Sequence, residues 1–188
     1  MVARADAAAA TGERILDAAW RHFSERPYEE VRLTDIATDA ETTVQTLHSR
    51  FGTKDELFLA AWARTIGGEG VRREAAPVGD VRKAVRVLYD SYELQGDAGL
   101  RLLAQEERIP AVRWMTDAGR VWHRAWVERT FAPLLGDLTG AARERRLVKL
   151  ILATDILVWK LLRRELGLGR RVAERIVVEM ITATKAAS

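Results

Sequence analysis

The segment 31–57, VRLTDIATDAETTVQTLHSRFGTKDEL, constrains the fold more than any other part of this chain. Its apolar spacing predicts a helix over residues 33–39 and a short second helix over residues 43–50, separated by a turn at residues 40–42. Two such helices around a tight turn present one exposed helix as a probe for the major groove of DNA. The segment therefore indicates a DNA-binding helix-turn-helix.

Capping residues support these helix boundaries. Thr43 can cap the second helix, and Gly52 is typical of the residue that ends one. Thr53 and Glu56 have the three-residue spacing of a capping box, which predicts that a further helix begins there. Elsewhere the sequence shows no phosphate-binding glycine loop, no metal-ligand cluster and no nucleophile with its base.

The composition indicates an all-α protein with an ordinary core. Of the 188 residues, 48% are hydrophobic and 30% are charged, as in globular chains that bury a sizeable core. The four prolines leave long intervals rich in Ala, Leu, Arg and Glu, and no stretch alternates as a strand would. The absence of cysteine excludes disulfides and fits a reducing cytoplasm. We expect no signal peptide, membrane span, cofactor or metal site, since charges interrupt the apolar runs and the three histidines are spread apart.

Helix-breaking residues divide the chain into an arm and two domains. Thr11 can cap a first helix over residues 12–24, so residues 1–10 are expected to form a flexible N-terminal arm. The glycine cluster at 67–70 and Pro77 disfavour a helix and mark a boundary. Residues 11–68 are then a helix-turn-helix domain with a linking helix, and residues 69–188 a second helical domain. The second domain is predicted to contain five helices, for about nine in total: 80–95, 98–107, 110–131, 139–166 and 170–185.

Residues 11–62 share a spaced pattern with a known family. The pattern is Arg14-Ile15-Leu16-Asp17-Ala18-Ala19, then Phe23, Asp35-Ile36-Ala37, Thr46-Leu47, Phe51 and Lys54-Asp55-Glu56-Leu57. With this pattern the segment resembles the DNA-binding domain of the TetR family of bacterial transcriptional repressors. The remaining residues resemble the family only in being helical with a matching helix count. The resemblance implies a second domain, residues 69–188, that binds a small effector and dimerises through its last two helices.

Three residues depart from the pattern of the family that the segment resembles. Glu41 stands where a glycine is usual, so it must accept a positive φ at a cost of roughly 1 kcal/mol. Arg32 stands where Ser or Thr usually caps a helix, which predicts a weaker cap. His48 replaces a tyrosine that contacts phosphate in the family, and it can donate a hydrogen bond with a different reach.

The exposed face of the second short helix supplies the candidate DNA contacts. Leu47 and Phe51 lie four residues apart and are expected to face the core. Gln45 can pair with adenine, and the methyl groups of Val44 can pack on a thymine methyl. Thr43, His48 and Lys54 suit phosphates, the last beside a helix N-terminus, where backbone amides also bind anions. The alternative is that these are solvated residues of a surface helix. The full candidate set is Thr34, Thr43, Val44, Gln45, Thr46, His48, Ser49 and Lys54.

The charge of the chain is unevenly distributed. Residues 1–66 carry eight Lys and Arg against eleven Asp and Glu, whereas residues 67–188 carry 22 against 16. DNA-binding segments are usually basic. A net-negative one predicts weak non-specific affinity, because phosphate contacts set that contribution.

Tryptophans concentrate in the second domain. Trp114, Trp122 and Trp126 share one stripe of the long helix. Such a stripe either forms core or lines a pocket for a hydrophobic or planar ligand, with Tyr89 and Tyr92 as opposing polar tips. The candidate ligand contacts are Tyr89, Tyr92, Trp114, Trp122, His123, Trp126, Asp155 and Trp159.

Two of these candidates have structural alternatives. Asp155 lies in an otherwise apolar run, where a buried charge needs a partner, so it pairs with Arg120 or Arg124 or contacts a ligand. His123 is either a ligand contact or a satisfied core residue.

The last two helices carry more apolar surface than one hairpin can bury. A homodimeric four-helix bundle would bury it, although the rest of the same domain is an alternative cover. The candidate interface residues are Leu150, Leu157, Leu161, Ile176, Val177 and Met180.

Together these features predict a ligand-responsive repressor in the cytoplasm. It would bind a palindromic operator in double-stranded DNA as a homodimer and would be released by a small hydrophobic or aromatic effector. The alternatives are an all-α enzyme or small-molecule-binding protein acting on a hydrophobic ligand, and a helical scaffold that binds only protein. No recognisable acid–base pair or nucleophile favours the enzyme.

Overall fold

A computed structural model describes the backbone of residues 2–186 and the side chains of residues 7–184. Over these residues the chain is helical and contains no strand, which confirms the all-α prediction. It divides into two compact units. Unit 1 comprises Met1–Gly68 and Arg101–Asp117, and unit 2 comprises Glu69–Leu100 and Ala118–Ser188.

The helices follow the apolar periodicity of the sequence. A single 3-10 turn, Tyr28–Glu30, separates the first two, and a π-helical turn, Leu161–Glu165, follows the ninth. In chain order the α-helices are α1 Val2–Glu25, α2 Leu33–Asp39, α3 Val44–Phe51, α4 Lys54–Glu74, α5 Val81–Leu103, α6 Pro110–Thr130, α7 Ala132–Leu135, α8 Gly140–Ala153, α9 Ile156–Lys160 and α10 Arg170–Ala186.

The first helix begins earlier than the sequence predicts. Residues 2–10, expected to form an arm, continue α1, while Met1 lies outside the described residues. Thr11 is no cap, because its hydroxyl donates to the carbonyl of Ala7 at 2.9 Å. The longer helix is explained by residues 7–10, which are all alanine, the residue with the highest helix propensity.

Glycines expected to end helices lie within them. α4 continues through residues 67–70 to Glu74, and α5 continues through Gly96, where two separate helices were expected. An interior glycine costs roughly 1 kcal/mol relative to alanine, which tertiary packing can offset. At Gly96 the packing is visible: a Cβ there would approach the ring of Trp159 to 2.5 Å. The glycine is required for this close contact.

The helix expected over residues 139–166 is broken after Ala153. Asp155 caps the following helix α9, accepting a hydrogen bond from the backbone amide of Leu157 at 2.8 Å. The prediction that Asp155 is buried and pairs with Arg120 or Arg124 is therefore wrong. Its carboxylate is only half-buried, and Arg124 pairs with Glu144 at 2.7 Å.

The core of unit 1 joins the helix-turn-helix to a later part of the chain. Ile15, Phe23, Ile36, Leu47 and Phe58 are buried together. Residues 101–117, which the sequence predicts to be part of the second domain, add Leu102, Ile109, Val112 and Met115 to this core.

Unit 2 has its own core, formed by α5, α6, α8, α9 and α10. Val85, Leu88, Val127, Leu147 and Val177 are fully buried in it. The buried positions of α10 are Ala173, Val177, Ile181 and Thr184, and this helix packs against α8.

Candidate DNA interface and effector site

The turn between α2 and α3 positions the candidate DNA-reading helix. Glu41 adopts φ 52°, the positive φ that its place in the turn predicts. The amide of Thr42 then donates to the carbonyl of Ala37 at 2.9 Å and closes the turn. The left-handed backbone costs a non-glycine residue roughly 1 kcal/mol, so packing of the two helices must hold it.

Caps fix both ends of α3. The Thr43 hydroxyl accepts from the amide of Thr46 at 3.2 Å, and Gly52 ends the helix at φ 74°. The next helix begins with a reciprocal box: the Thr53 amide donates to Glu56 at 2.7 Å, and the Glu56 amide to the Thr53 hydroxyl at 3.2 Å. Both expected caps are therefore confirmed.

One face of α3 is buried and the other points outward. Leu47 is 1% exposed in the core of unit 1, and Phe51 packs against that core. Gln45 lies on the exposed face, and in the described part of the chain no protein group bonds to its amide. The amide is free to meet a base edge.

The other candidates on α3 and beside it have local partners. Ser49 donates to the carbonyl of Thr46 at 3.1 Å, and the His48 ring nitrogen Nδ1 bonds to the Gly52 carbonyl at 2.8 Å. Thr34 and Thr43 are exposed, whereas Val44 and Thr46 are half-buried at the edge of the face. The predicted residues on α2 and α3 are therefore exposed or half-buried.

Lys54 is held against unit 1. Its ammonium donates to the Tyr28 carbonyl at 2.6 Å and lies 4.5 Å from the centre of the Tyr28 ring. Burial lowers the pKa of Lys54. The Tyr28 hydroxyl in turn donates to Asp55, and burial together with that carboxylate raises the pKa of Tyr28. A phosphate contact at Lys54 would have to share the ammonium with this carbonyl.

Two cations that the sequence did not predict as contacts lie in the same unit. Arg32 is exposed at the start of α2, makes no cap, and has no bonding partner among the described residues. Arg50 is exposed on α3 and donates only to the carbonyl of Ala8, at 2.8 Å. The signal in the sequence was that Arg32 stands at a capping position that its side chain cannot cap, which leaves the guanidinium free for another contact.

Comparison with known families identifies this unit. Residues 15–61 match the family model described as bacterial regulatory proteins, tetR family. The match covers 47 of the 188 residues and shows that the helix-turn-helix segment is similar to that of the TetR family. The match indicates a DNA-binding transcriptional regulator rather than an enzyme. A search of curated proteins finds no significant match.

Solved structures share the fold at low sequence identity. A transcriptional regulator from Rhodococcus sp. Rha1 aligns with a TM-score of 0.70 and 17% identity, covering 92% of this chain and 95% of its own. A TetR-family regulator from Streptomyces coelicolor A3 aligns with a TM-score of 0.55 and 21% identity, covering 95% and 96%. The multidrug binding protein EbrR, in complex with imidazole, gives a TM-score of 0.62 and 20% identity, covering 90% and 88%.

Arg73 of α4 is the centre of a buried polar cluster in unit 2. The residue is buried, and its guanidinium lies 5.1, 4.9 and 5.6 Å from the rings of Tyr92, Trp122 and Trp126. Glu69, one helical turn earlier and also buried, pairs with Arg73 at 3.3 Å. Three aromatic faces and a carboxylate therefore enclose one cation.

His123 extends the cluster from Arg73 to Thr154. The guanidinium can only donate, so the His123 nitrogen Nδ1, at 3.3 Å, accepts and Nε2 carries the proton. Nε2 then donates to the Thr154 hydroxyl at 3.1 Å. Burial, and secondly the Arg73 charge, lower the pKa of His123 to about 3. The ring is neutral near pH 7.

Hydroxyl groups complete the cluster. The Ser91 hydroxyl accepts from Arg73 at 3.0 Å, and the Tyr92 hydroxyl donates to the Thr154 carbonyl at 2.9 Å. Burial raises the pKa of Tyr92 to about 12. The Tyr89 hydroxyl is buried but has no hydrogen-bond partner among the described residues. Glu69 and Arg73 were not predicted, although their i, i+4 spacing was a signal for a pair.

The structure separates some of the predicted ligand contacts. Trp114 lies in unit 1, is 58% exposed, and packs edge-on against Trp62 at 5.9 Å. Trp159 is buried in unit 2 and donates to Glu93 at 3.1 Å. Trp122, His123, Trp126 and Tyr92 remain together around Arg73, while Asp155 caps α9.

An apolar face lies along α8, α9 and α10. Leu157, Leu161 and Met180 of the predicted interface are 59%, 45% and 40% exposed. Leu150 and Val177 are instead buried in the core of unit 2, and Ile176 is half-buried. A groove of about 380 Å³ between α8 and α10 is lined by Lys149, Leu152, Ala153, Met180, Ala183 and Thr184.

The described residues show neither a candidate metal site nor a candidate membrane span. Their His, Asp and Glu side chains form no group of three that could hold a metal ion. In the same part of the chain, no helix combines the length and apolar content that a membrane span requires.

Proposed function

We propose that this protein is a ligand-responsive repressor that binds a palindromic operator as a homodimer and is released by a small hydrophobic or aromatic effector. The observation that carries the proposal is α3, a capped helix with its apolar face buried and the free amide of Gln45 facing outward. Because the operator lies on the bacterial chromosome, the site of action is the cytoplasm.

The proposed contacts divide into base-reading and phosphate-binding groups. Gln45 pairs with adenine and Val44 packs on a thymine methyl, since both lie on or at the edge of the outward face. His48 and Lys54 contact phosphates, and the exposed Arg32 joins them. Thr34, Thr43, Thr46 and Ser49 complete the interface through their hydroxyl groups.

The homodimer forms through the exposed apolar face of α8, α9 and α10. Leu152 and Leu157 are each 59% exposed there, and single-domain proteins rarely leave such residues in one contiguous patch without a partner. A two-fold axis would pair this face with itself and repeat the α3 helix at a second half-site.

The effector binds at the Arg73 cluster of unit 2. Four of the predicted contacts surround Arg73. The Tyr89 hydroxyl in the same core has no hydrogen-bond partner among the described residues, and a ligand could supply one. EbrR, a multidrug binding protein that shares the fold, supports a small-molecule role. We propose residues 69–188 as the effector-binding and dimerisation domain and residues 11–68 as the DNA-binding domain, with residues 101–117 as support for the latter.

Release follows from a difference in affinity between two states. The effector must bind better to a dimer conformation whose two α3 helices no longer match successive major grooves. A ligand that binds both conformations equally would not release the operator.

The experiment is selection of bound sites from random duplex DNA with the purified full chain. We expect recovery of a palindrome with two half-sites. Gln45→Ala should then reduce the preference at one or two base pairs of each half-site by roughly 1–3 kcal/mol. The matched control is Gln95→Ala in unit 2. Recovery of no sequence at low salt, or an unchanged preference for Gln45→Ala, contradicts the proposal.

A further inference from the structure

A second concave surface of unit 2 lies between α5 and α10. It consists of two adjoining grooves of about 380 and 480 Å³ that share Arg86, Arg171 and Glu174. Arg82 and Arg175 line the first of them. We call this surface the arginine groove and define it by Arg82, Arg86, Arg171 and Arg175.

The four arginines of the groove have no carboxylate partner. All four are exposed, and none forms an ion pair or side-chain hydrogen bond within the described part of the chain. Their neighbour Arg170 shows the usual arrangement, pairing with Asp90 at 2.6 Å and with Glu174 at 2.7 Å. Glu174 is therefore already engaged, and the acidic group left at the groove is Glu179.

Positions of the groove residues follow the helix period. Arg82 and Arg86 lie one turn apart on α5, and Arg171 and Arg175 lie one turn apart on α10. Each pair therefore projects from one face of its helix, and Arg170 at the start of α10 links the two helices by donating to the Asp90 carboxylate of α5 at 2.6 Å. Positive charges concentrated in this way repel one another unless an anion lies between them.

The chemistry of the groove fits phosphate. Guanidinium groups bind phosphoryl oxygens through two parallel hydrogen bonds, which lysine cannot do. Four guanidinium groups around one concave space are more than a single phosphoryl group needs. The volume of the space suits a small molecule better than the flat surface of a macromolecule. Val178 adds an apolar side to the same wall.

The groove is separate from the two sites already described. Its α10 residues, 171 and 175, lie on a different face of the helix from the exposed Val172 and Met180 of the apolar face. It belongs to unit 2, whereas α3 belongs to unit 1. Neither the proposed homodimer nor the proposed DNA contact uses these arginines.

We propose that the arginine groove binds a small molecule carrying two or more phosphoryl groups. The ligand would place its phosphoryl groups between the α5 pair and the α10 pair. Glu179 at the rim would exclude ligands with an anionic group at that end.

The test is calorimetric titration of the full chain with inorganic tripolyphosphate at constant ionic strength. The groove variant is Arg86→Gln with Arg171→Gln. The matched control is Arg113→Gln with Arg145→Gln, which removes the same charge from two exposed arginines that also lack partners among the described residues. Far-UV circular dichroism establishes that each variant is folded.

We expect one tripolyphosphate per chain, at least tenfold weaker binding by the groove variant, and less than a twofold change in the control. Orthophosphate should bind at least tenfold more weakly than tripolyphosphate. Undiminished binding by the groove variant would place the anion elsewhere, such as at α3, and refute the proposal. Equal losses in both variants, or no binding by the wild type at millimolar ligand, would also refute it.

Discussion

Replacing Arg73 by methionine should destabilise the fold strongly, because it removes the buried partner of Glu69 and leaves this buried carboxylate only the exposed Arg72. The side chains of Arg73 and Glu69 are 6% and 4% exposed and lie 3.3 Å apart. Breaking a buried ion pair by removing one partner costs about 3–5 kcal/mol. Methionine replaces the aliphatic stem but not the contacts with the rings of Tyr92, Trp122 and Trp126, so we expect Arg73→Met to lie within that range.

The double variant separates the charge from the packing. Glu69→Gln with Arg73→Met removes both charges, so it should be more stable than Arg73→Met alone. The coupling energy of the two positions should then be about 2 kcal/mol or more, as for residues in one hydrogen-bonded network. Arg72→Met is the control: Arg72 is 55% exposed and also 3.3 Å from Glu69, so it should cost no more than about 1 kcal/mol.

Urea unfolding followed by far-UV circular dichroism measures these differences, at one protein concentration because a homodimer would be stabilised by association. The reasoning is refuted if Arg73→Met costs less than about 1 kcal/mol. It is also refuted if the costs of the two single variants simply add, because the pair would then not be coupled.

Three further predictions concern pH, DNA and assembly. The pKa of His123 is lowered to about 3 in the folded protein, whereas a histidine in the unfolded chain titrates near 6.5. The stability that the neutral His123 contributes is therefore present above pH 6.5 and is lost as the pH falls. Between pH 7.5 and 5 the wild type should lose about 2 kcal/mol more than His123→Gln in urea unfolding, and parallel curves would contradict this. Lys54→Ala should weaken binding to all duplexes and reduce the salt slope by about one unit, whereas an unchanged slope would mean that Lys54 contacts no phosphate. Leu152→Glu with Met180→Glu should sediment as a 21.1 kDa monomer, whereas wild type and the exposed-site control Val121→Glu should sediment at twice that mass. A monomeric wild type would contradict the dimer.

The helix-turn-helix could be predicted because its signals are local. The bounds of α2 and the caps at Thr43 and Thr53 depend on residues within four positions of each other, and the structure has them as expected. Even the strain at Glu41 followed from the need for a positive φ in a tight turn.

Long-range packing accounts for what the sequence did not predict. Gly96 lies inside α5 because Trp159, far away in sequence, occupies the space of a side chain. Residues 101–117 belong to unit 1 because their apolar face meets Ile15 and Phe58. Trp114 is separated from Trp122 and Trp126 because α6 passes from unit 1 to unit 2 between Asp117 and Ala118.

The pairing of opposite charges is a second reason why the sequence did not predict all of the structure, and the candidate effector site is the example. Glu69 lies within the glycine cluster at 67–70, which indicates a break, and Arg73 follows it, so their i, i+4 relation becomes meaningful only once α4 is known to continue to Glu74. With the helix intact, both side chains project from the same face into unit 2. There they meet Ser91, Tyr92 and His123, which no local pattern connects to them.

The acidity of the DNA-binding segment has a structural explanation that bears on how it reads DNA. Its carboxylates are largely engaged: Asp39 pairs with Arg21, Asp35 with Arg26, and Glu13 and Asp17 with Arg64. These ion pairs neutralise the charges of both partners, so few cations are left for phosphates, and Arg32 and Arg50 are exposed examples. Since each phosphate contact contributes about one unit to the salt slope, a slope of small magnitude is expected for non-specific DNA. Preference for the operator must then come mainly from base contacts on α3, which makes the free amide of Gln45 more important than in a strongly basic domain.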